Sequence, residues 1–282
     1  MIRALLTLCA LSPAQVQWVP LSPPVSPPAR AHHALSWDSA RGRAVLFGGL
    51  QNGPYLGDTW EWDGSTWTEH LPVNRPSPRW GHGLAFDART GRTVLFGGCS
   101  ESFTPLGDTW EWDGSGWSPR MPVHSPSPRY EHTLAYDPVR ERTLLFGGQG
   151  QLQLQDTWEW DGTDWSQRQT PASPPVRVEA GMAFDRLRQR MVLFGGRGYN
   201  GIETRDTWEW DGSTWTTRAP RTLPPGRATH GMTFDATRAR TVLCGGSGLP
   251  FQFETWEWNG VDWLRRSPEV APSPRWGVAL AF

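Results

Sequence analysis

Lysine is missing from this 282-residue chain, so all 27 of its basic residues are arginine. Without lysine there is no Schiff-base chemistry and no amine nucleophile. Neither sign of charge dominates, because 28 acidic residues stand against the 27 basic ones. Composition therefore gives no electrostatic case for nucleic acid or for an anionic membrane surface. Cysteine is scarce, at three residues. Cys9 lies in an apolar N-terminal run, Cys99 follows a Gly-Gly pair, and Cys244 stands where the other four repeats have the Phe before that pair. Such unlike positions argue against a Cys99–Cys244 disulfide, and neither residue has metal-binding spacing. Long apolar runs are lacking too. The run from Ala4 to Leu11 is well short of the about 20 residues that span a bilayer, so no membrane insertion is expected. With Arg3 before it and Ser12-Pro13-Ala14 after it, this run reads as a signal peptide over residues 1–14. A frayed N-terminal strand is the alternative. The mature protein is expected to be exported, whether secreted, periplasmic or held at the cell surface.

What is plentiful points one way. The chain has 19 Trp, 31 Gly and 26 Pro, which suits many short strands joined by tight turns and leaves little room for long helices. The organising stretch is Asp108-Thr109-Trp110-Glu111-Trp112-Asp113-Gly114, with copies beginning at Asp58, Asp156, Asp206 and, more weakly, Glu254, at intervals of 50, 48, 50 and 48 residues. Each repeat carries four short alternating runs bounded by Gly, Asp and Pro. In the second they are 82–86, 92–96, 108–113 and a run opening at Trp117. Period-two alternation means strands, and four strands recurring at this interval make the blade of a β-propeller.

The expected fold is all-β, with five complete four-stranded blades at about 30–68, 79–118, 129–166, 177–216 and 227–265. Residues 15–20 read as a lone outer strand, since Trp18 precedes Arg30 as Trp67 precedes Arg79. Residues 275–282 read as a lone inner strand. Together they would form an incomplete sixth blade, unless the sequence is a fragment of a longer product, which is the favoured reading. The first strand of each repeat has a large face (His82, Leu84, Phe86) and a small one (Gly83, Ala85), which suits the crowded position nearest the axis. Glu61, Glu111, Glu159, Glu209 and Glu257 are expected to pair with Arg43, Arg92, Arg142, Arg190 and Arg240, across a sheet or between blades. Exposure without pairing is the alternative.

These repeats resemble the kelch family. The marks are Gly-Gly closing the second strand at 48–49, 97–98, 147–148, 195–196 and 245–246, an aromatic third strand, and then Trp67, Trp117, Trp165, Trp215 or Trp263. The Asp-Thr-Trp-Glu-Trp-Asp-Gly form is similar to kelch or galactose-oxidase-like repeats of exported bacterial proteins. The resemblance implies a kelch-type propeller scaffold running from residue 15 to residue 282, and a scaffold does not fix function.

Two shared constellations invite a functional reading. In the first, His33, His82, His132 and His230 begin inner strands and could ring a metal. The same slot holds Ala180 and Val278, however, so it reads first as packing. In the second, Arg30, Arg79, Arg129, Arg177, Arg227 and Arg275 recur in every repeat. They either bond loop carbonyls within the repeat or form a cationic mouth for carboxylates and acidic sugars.

Residues that differ between repeats are better clues, because the shared ones are needed to build each blade. The loops after Gly-Gly differ most, and they offer Asn52, Tyr55, Phe103, Tyr199, Asn200, Phe251 and Phe253. Aromatics beside amides suit stacking on sugars or gripping a peptide; plain loop packing is the alternative. With Arg79, Arg129, Arg177 and Arg227, these are the candidate binding residues. The copper-radical oxidases need two Tyr, two His and a crosslinked Cys around copper. Tyr130 and Tyr136 stand in structural slots, so that chemistry is not expected. No catalytic constellation, metal or cofactor is expected. The function read from the sequence is a binding module for a glycan or protein, with a structural envelope protein as the alternative.

Overall fold

The computed structural model describes residues 16–51, 53–248, 254–273 and 277–282. Blade one comprises β1 (Ala34–Asp38), β2 (Arg43–Leu50), β3 (Tyr55–Trp62) and β4 (Trp67–His70), and blade two β5 (Gly83–Asp87), β6 (Arg92–Cys99), β7 (Pro105–Trp112) and β8 (Trp117–Arg120). Blade three is β9 (Thr133–Asp137), β10 (Arg142–Gln149), β11 (Gln153–Trp160) and β12 (Trp165–Arg168). Blade four is β13 (Gly181–Asp185), β14 (Arg190–Phe194), β15 (Thr207–Trp210) and β16 (Trp215–Arg218), and blade five is β17 (Gly231–Asp235), β18 (Arg240–Cys244), β19 (Thr255–Trp258) and β20 (Trp263–Arg266). Every sheet is an antiparallel meander in sequence order, and successive first strands pack side by side around one axis. The result is a five-bladed propeller with no helix among the described residues, and so none long enough to cross a membrane.

Neighbouring blades interlock through their small residues. A Cβ added at Gly83 would lie 2.7 Å from Leu134 Cβ and 2.8 Å from His132 Nε2, so the small face of one inner strand meets the large face of the next. The second strands then pack sideways: Val45 and Phe47 lie against Leu84, Leu95, Trp112 and Trp117 of blade two, and the pattern repeats around the ring. At the Gly-Gly pair the β2–β3 register shifts between Phe47 and Gly49. There Gly48 takes φ +59°, and a Cβ would strike the Arg79 carbonyl oxygen at 2.7 Å. That carbonyl accepts the Gly49 amide at 2.9 Å, so the bulge joins one blade to the next.

The recurrent glutamates are buried and paired, but the principal partner is not the arginine expected. Glu111 meets Arg120 and Glu257 meets Arg266 (2.8 Å) on the fourth strand, as do Glu159 and Arg168, Glu209 and Arg218, and Glu61 and His70. Pairing across the sheet is set by register, which places Glu111 opposite Ser118 with Arg120 one pleat further along the same face. Of the arginines named from sequence, Arg92 reaches Glu111 only at 3.8 Å, while Arg43 pairs with Asp63.

The chain ends do not form strands among the described residues, so a sixth blade built from 15–20 and 275–282 is not established. They do pack against blade five. Val16 N donates to Glu257 Oε1 (3.2 Å), Trp18 Nε1 donates to Thr255 Oγ1 (3.0 Å), and Leu280 joins Val16, Trp18 and Cys244 in one cluster. The expected signal peptide, 1–14, lies outside the described residues, as does Arg275.

Candidate functional site

The uneven loops all open on one rim. Bridges Ala31↔Leu50, Trp80↔Cys99, Tyr130↔Gln149, Val178↔Arg197 and Ala228↔Ser247 tie the segment before each first strand to the start of the loop after each Gly-Gly pair. This rim carries the candidate aromatics that are described. Tyr55 opens β3 half-buried and meets Phe103 of the next blade edge-on, with ring centroids 6.2 Å apart. Phe103 is 74% exposed and Tyr199 is 79% exposed. Asn200 spends its Oδ1 on the Ile202 amide at 3.1 Å, closing its own loop. Asn52, Phe251 and Phe253 lie outside the described residues.

Among the described residues, the recurrent arginines do not form a cationic mouth. Arg79 uses all five of its N–H donors within the protein: Nε to Ser77 O, one terminal nitrogen to Gly97 O and Asp108, the other to Ser77 Oγ and Asp108. Arg129 and Arg177 form the same forked pairs with Asp156 and Asp206, and Arg227 meets Glu254 at 3.1 Å; all four are at most 1% exposed. Burial works against the charge on Asp108, Asp156 and Asp206, but the bidentate guanidinium wins and holds their carboxyls below the usual range. The planar fork joins the second-strand carbonyl to the head of the third strand, so these arginines belong to the frame.

The inner-strand histidines are also interior groups. His82, His132 and His230 sit edge-on to Phe47, Phe96 and Phe194 of the preceding blade. Burial, reinforced by the adjacent arginine, pulls His33, His132 and His230 down to about 3, which keeps the rings neutral.

The residue just before each of these histidine slots forms a feature that sequence reasoning passed over. His32, Gly81, Glu131, Glu179, Thr229 and Gly277 all take φ between 52° and 66°. Their backbones form a chain around the axis: Gly81 N donates to His32 O (3.0 Å), Glu131 N to Gly81 O (2.6 Å), Glu179 N to Glu131 O (2.9 Å), and Thr229 N and Gly277 N to the preceding carbonyls (3.0 Å each). These bonds offset the left-handed strain at the four non-glycine positions. The annulus marks the loop-side mouth of the channel, and it gathers charge there. Burial, the neighbouring Glu179 charge and a hydrogen bond between the two carboxyls raise Glu131 to about 8 against the pull of Arg197. Burial likewise raises Glu179, which Arg197 Nη1 meets at 2.9 Å. Burial and Arg197 lower His32 to about 4; its ring stands 4.0 Å from Glu131 and edge-on to Trp80, which in turn lies 5.0 Å from Tyr130. His32, Glu131 and Glu179 could jointly offer ligand atoms to a cation, although Arg197 already compensates the carboxylate charge. The available signal was a slot that holds Gly twice and His, Glu, Glu and Thr otherwise: glycine marks the left-handed turn, and the exceptions carry the chemistry.

On the opposite rim the channel widens into an apolar cavity of about 930 Å³ lined by Leu84, Phe86, Leu134, Met182, Phe184 and Met232 among others. The family model described as the KLHDC2/KLHL20/DRC7 Kelch-repeats domain matches residues 4–161, more than half of the chain. A search of curated proteins finds no match. Five sheets bearing the Gly-Gly pair, the buried paired arginine and the paired tryptophans, together with that match, place the chain in the kelch-repeat family, whose propellers are typical protein-interaction modules.

Proposed function

We propose that this chain is an exported module that grips a protein partner on its loop-rich rim. The observation that carries the reading is a row of exposed apolar side chains in three consecutive loops: Phe103 at 74%, Leu152 at 69%, and Tyr199 with Ile202 at 79% and 61%. Side chains of this size cost free energy in water and recur at protein contacts. Leu152 and Ile202 favour a protein over a glycan, because sugar rings stack on flat aromatic faces and gain little from branched aliphatics. The charged annulus at the centre of the rim adds Glu131, Glu179 and Arg197, which could fix the register of a partner. A photo-crosslinking residue at position 103 or 199 should then trap a protein, and one at position 163 on the far rim should not. Equal trapping from both rims, or none from either, overturns the reading; glycan-array hits without a protein adduct would replace protein by glycan. Export rests on residues 1–14, and the N-terminus of the released protein should begin at Gln15.

A further inference from the structure

The annulus at the loop-side mouth holds an acceptor that the protein leaves unsatisfied. The Glu179 side chain is only 7% exposed, and its Oε2 accepts no hydrogen bond. Arg197 Nη1 lies 2.9 Å from that oxygen, but no N–H is aligned on it. The second terminal nitrogen of Arg197 turns instead to Ser247 Oγ (3.3 Å) and Glu203 (3.5 Å). A buried carboxylate oxygen without a donor is costly unless a cation meets it. Two further donor groups stand beside it. His32, Glu131 and Glu179 each offer one ligand atom, and these atoms lie within 4.8 Å of one another. The His32 and Glu131 side chains are 16% and 15% exposed, so this is not a solvated acidic patch. Glu131, Glu179 and Glu203 surround a single guanidinium; Arg197 offsets one of their charges and leaves the rest for a divalent ion. The slot itself suits glycine, which fills it at 81 and 277. The three residues able to hold a cation take the same left-handed backbone, at φ 52°, 55° and 58°.

We infer that this mouth binds one divalent first-row transition ion, represented by zinc, through His32, Glu131 and Glu179. One imidazole with two carboxylates is a zinc-type donor set, and three protein ligands leave a fourth position for water or a partner's donor. The ligands come from the segments leading into blades one, three and four, so the ion ties sheets that are not all neighbours. The site stands whether or not the rim grips a protein. The test titrates zinc into the purified, chelator-treated full chain and follows binding by calorimetry. One ion should bind per chain, with a dissociation constant on the order of micromolar or below. It should raise the melting temperature, because it binds the folded state. Glu131→Gln and His32→Gly should each weaken binding at least about tenfold, since even groups behind the ligands are worth that much. Glycine already occupies this slot twice, so His32→Gly should keep the circular dichroism of the unaltered protein. His124→Ala, which removes an exposed ring paired with Asp164, should change nothing. Calcium should bind at least about tenfold more weakly than zinc, because it prefers oxygen to imidazole. X-ray absorption of the zinc-loaded unaltered protein should show imidazole and oxygen ligands without sulfur, a readout that needs no variant. No binding up to about millimolar zinc, zinc held by sulfur, equal affinity for calcium, or full binding by both ligand variants would each overturn the inference.

Discussion

The forked arginines show how one side chain can carry a structural role that its charge alone would not suggest. Arg129 has no exposed surface and bonds Asp156 through both terminal nitrogens, at 2.6 and 2.9 Å. Its removal would strand a carboxylate and the Gly147 carbonyl. Arg129→Ala should therefore cost about 3–5 kcal/mol of stability, read from urea midpoints, while Arg129→Lys should rescue little because an ammonium has no fork. A different behaviour is expected at Glu131, whose folded pKa is raised from 4.5 to about 8. The folded state prefers the protonated form. Its contribution to stability is complete below about pH 4.5 and is lost as the pH rises towards 8. Its neighbours Glu179, His32, Arg197, Tyr130 and Cys99 titrate or carry charge around it. The melting temperature of the Glu131→Gln protein should accordingly gain on the unaltered protein between about pH 5 and 8.5. Parallel curves would show that the carboxyl pair does not share a proton.

Within a blade, the element that matters most is the Gly-Gly bulge. Gly97 and Gly91 sit at similar φ, +62° and +67°, in the same blade. A Cβ at Gly97 would lie 2.6 Å from the Arg129 carbonyl oxygen, whereas at Gly91 it would meet nothing within 4 Å. Gly91→Ala should cost about 1 kcal/mol from backbone strain alone, and Gly97→Ala clearly more, because the neighbouring blade must move; denaturant titration of the two variants separates the terms. The strands themselves were legible in the sequence because alternation reports burial on a pleat directly, and β5, β9, β13 and β17 fall where it placed them. The glutamate partners were less legible. Spacing along the chain identified arginines near Glu111 but could not say which of them shares its face across the sheet; Arg120 does, through β7–β8 register.

At the scale of the molecule, the indole bonds run between blades rather than within them. Trp117, Trp165, Trp215 and Trp263 each find their acceptor on the neighbouring sheet. A single blade, for example residues 79–120, should show no fixed tertiary signal in near-ultraviolet circular dichroism. The intact chain should unfold with coincident fluorescence and far-ultraviolet transitions, as expected for mutually interlocked sheets.

What the sequence determined by itself is the repeat: the number of complete sheets, their strand order and the rim on which the variable loops lie. These follow from period, alternation and turn chemistry, which act over neighbouring residues. The tertiary structure alone decided what the repeated polar groups do, turning the candidate arginines inward onto Asp108, Asp156, Asp206 and Glu254 and gathering His32, Glu131, Glu179 and Arg197 from three blades into one mouth. Closing a ring brings together positions some 50 residues apart, and partners at that separation leave no mark in local pattern.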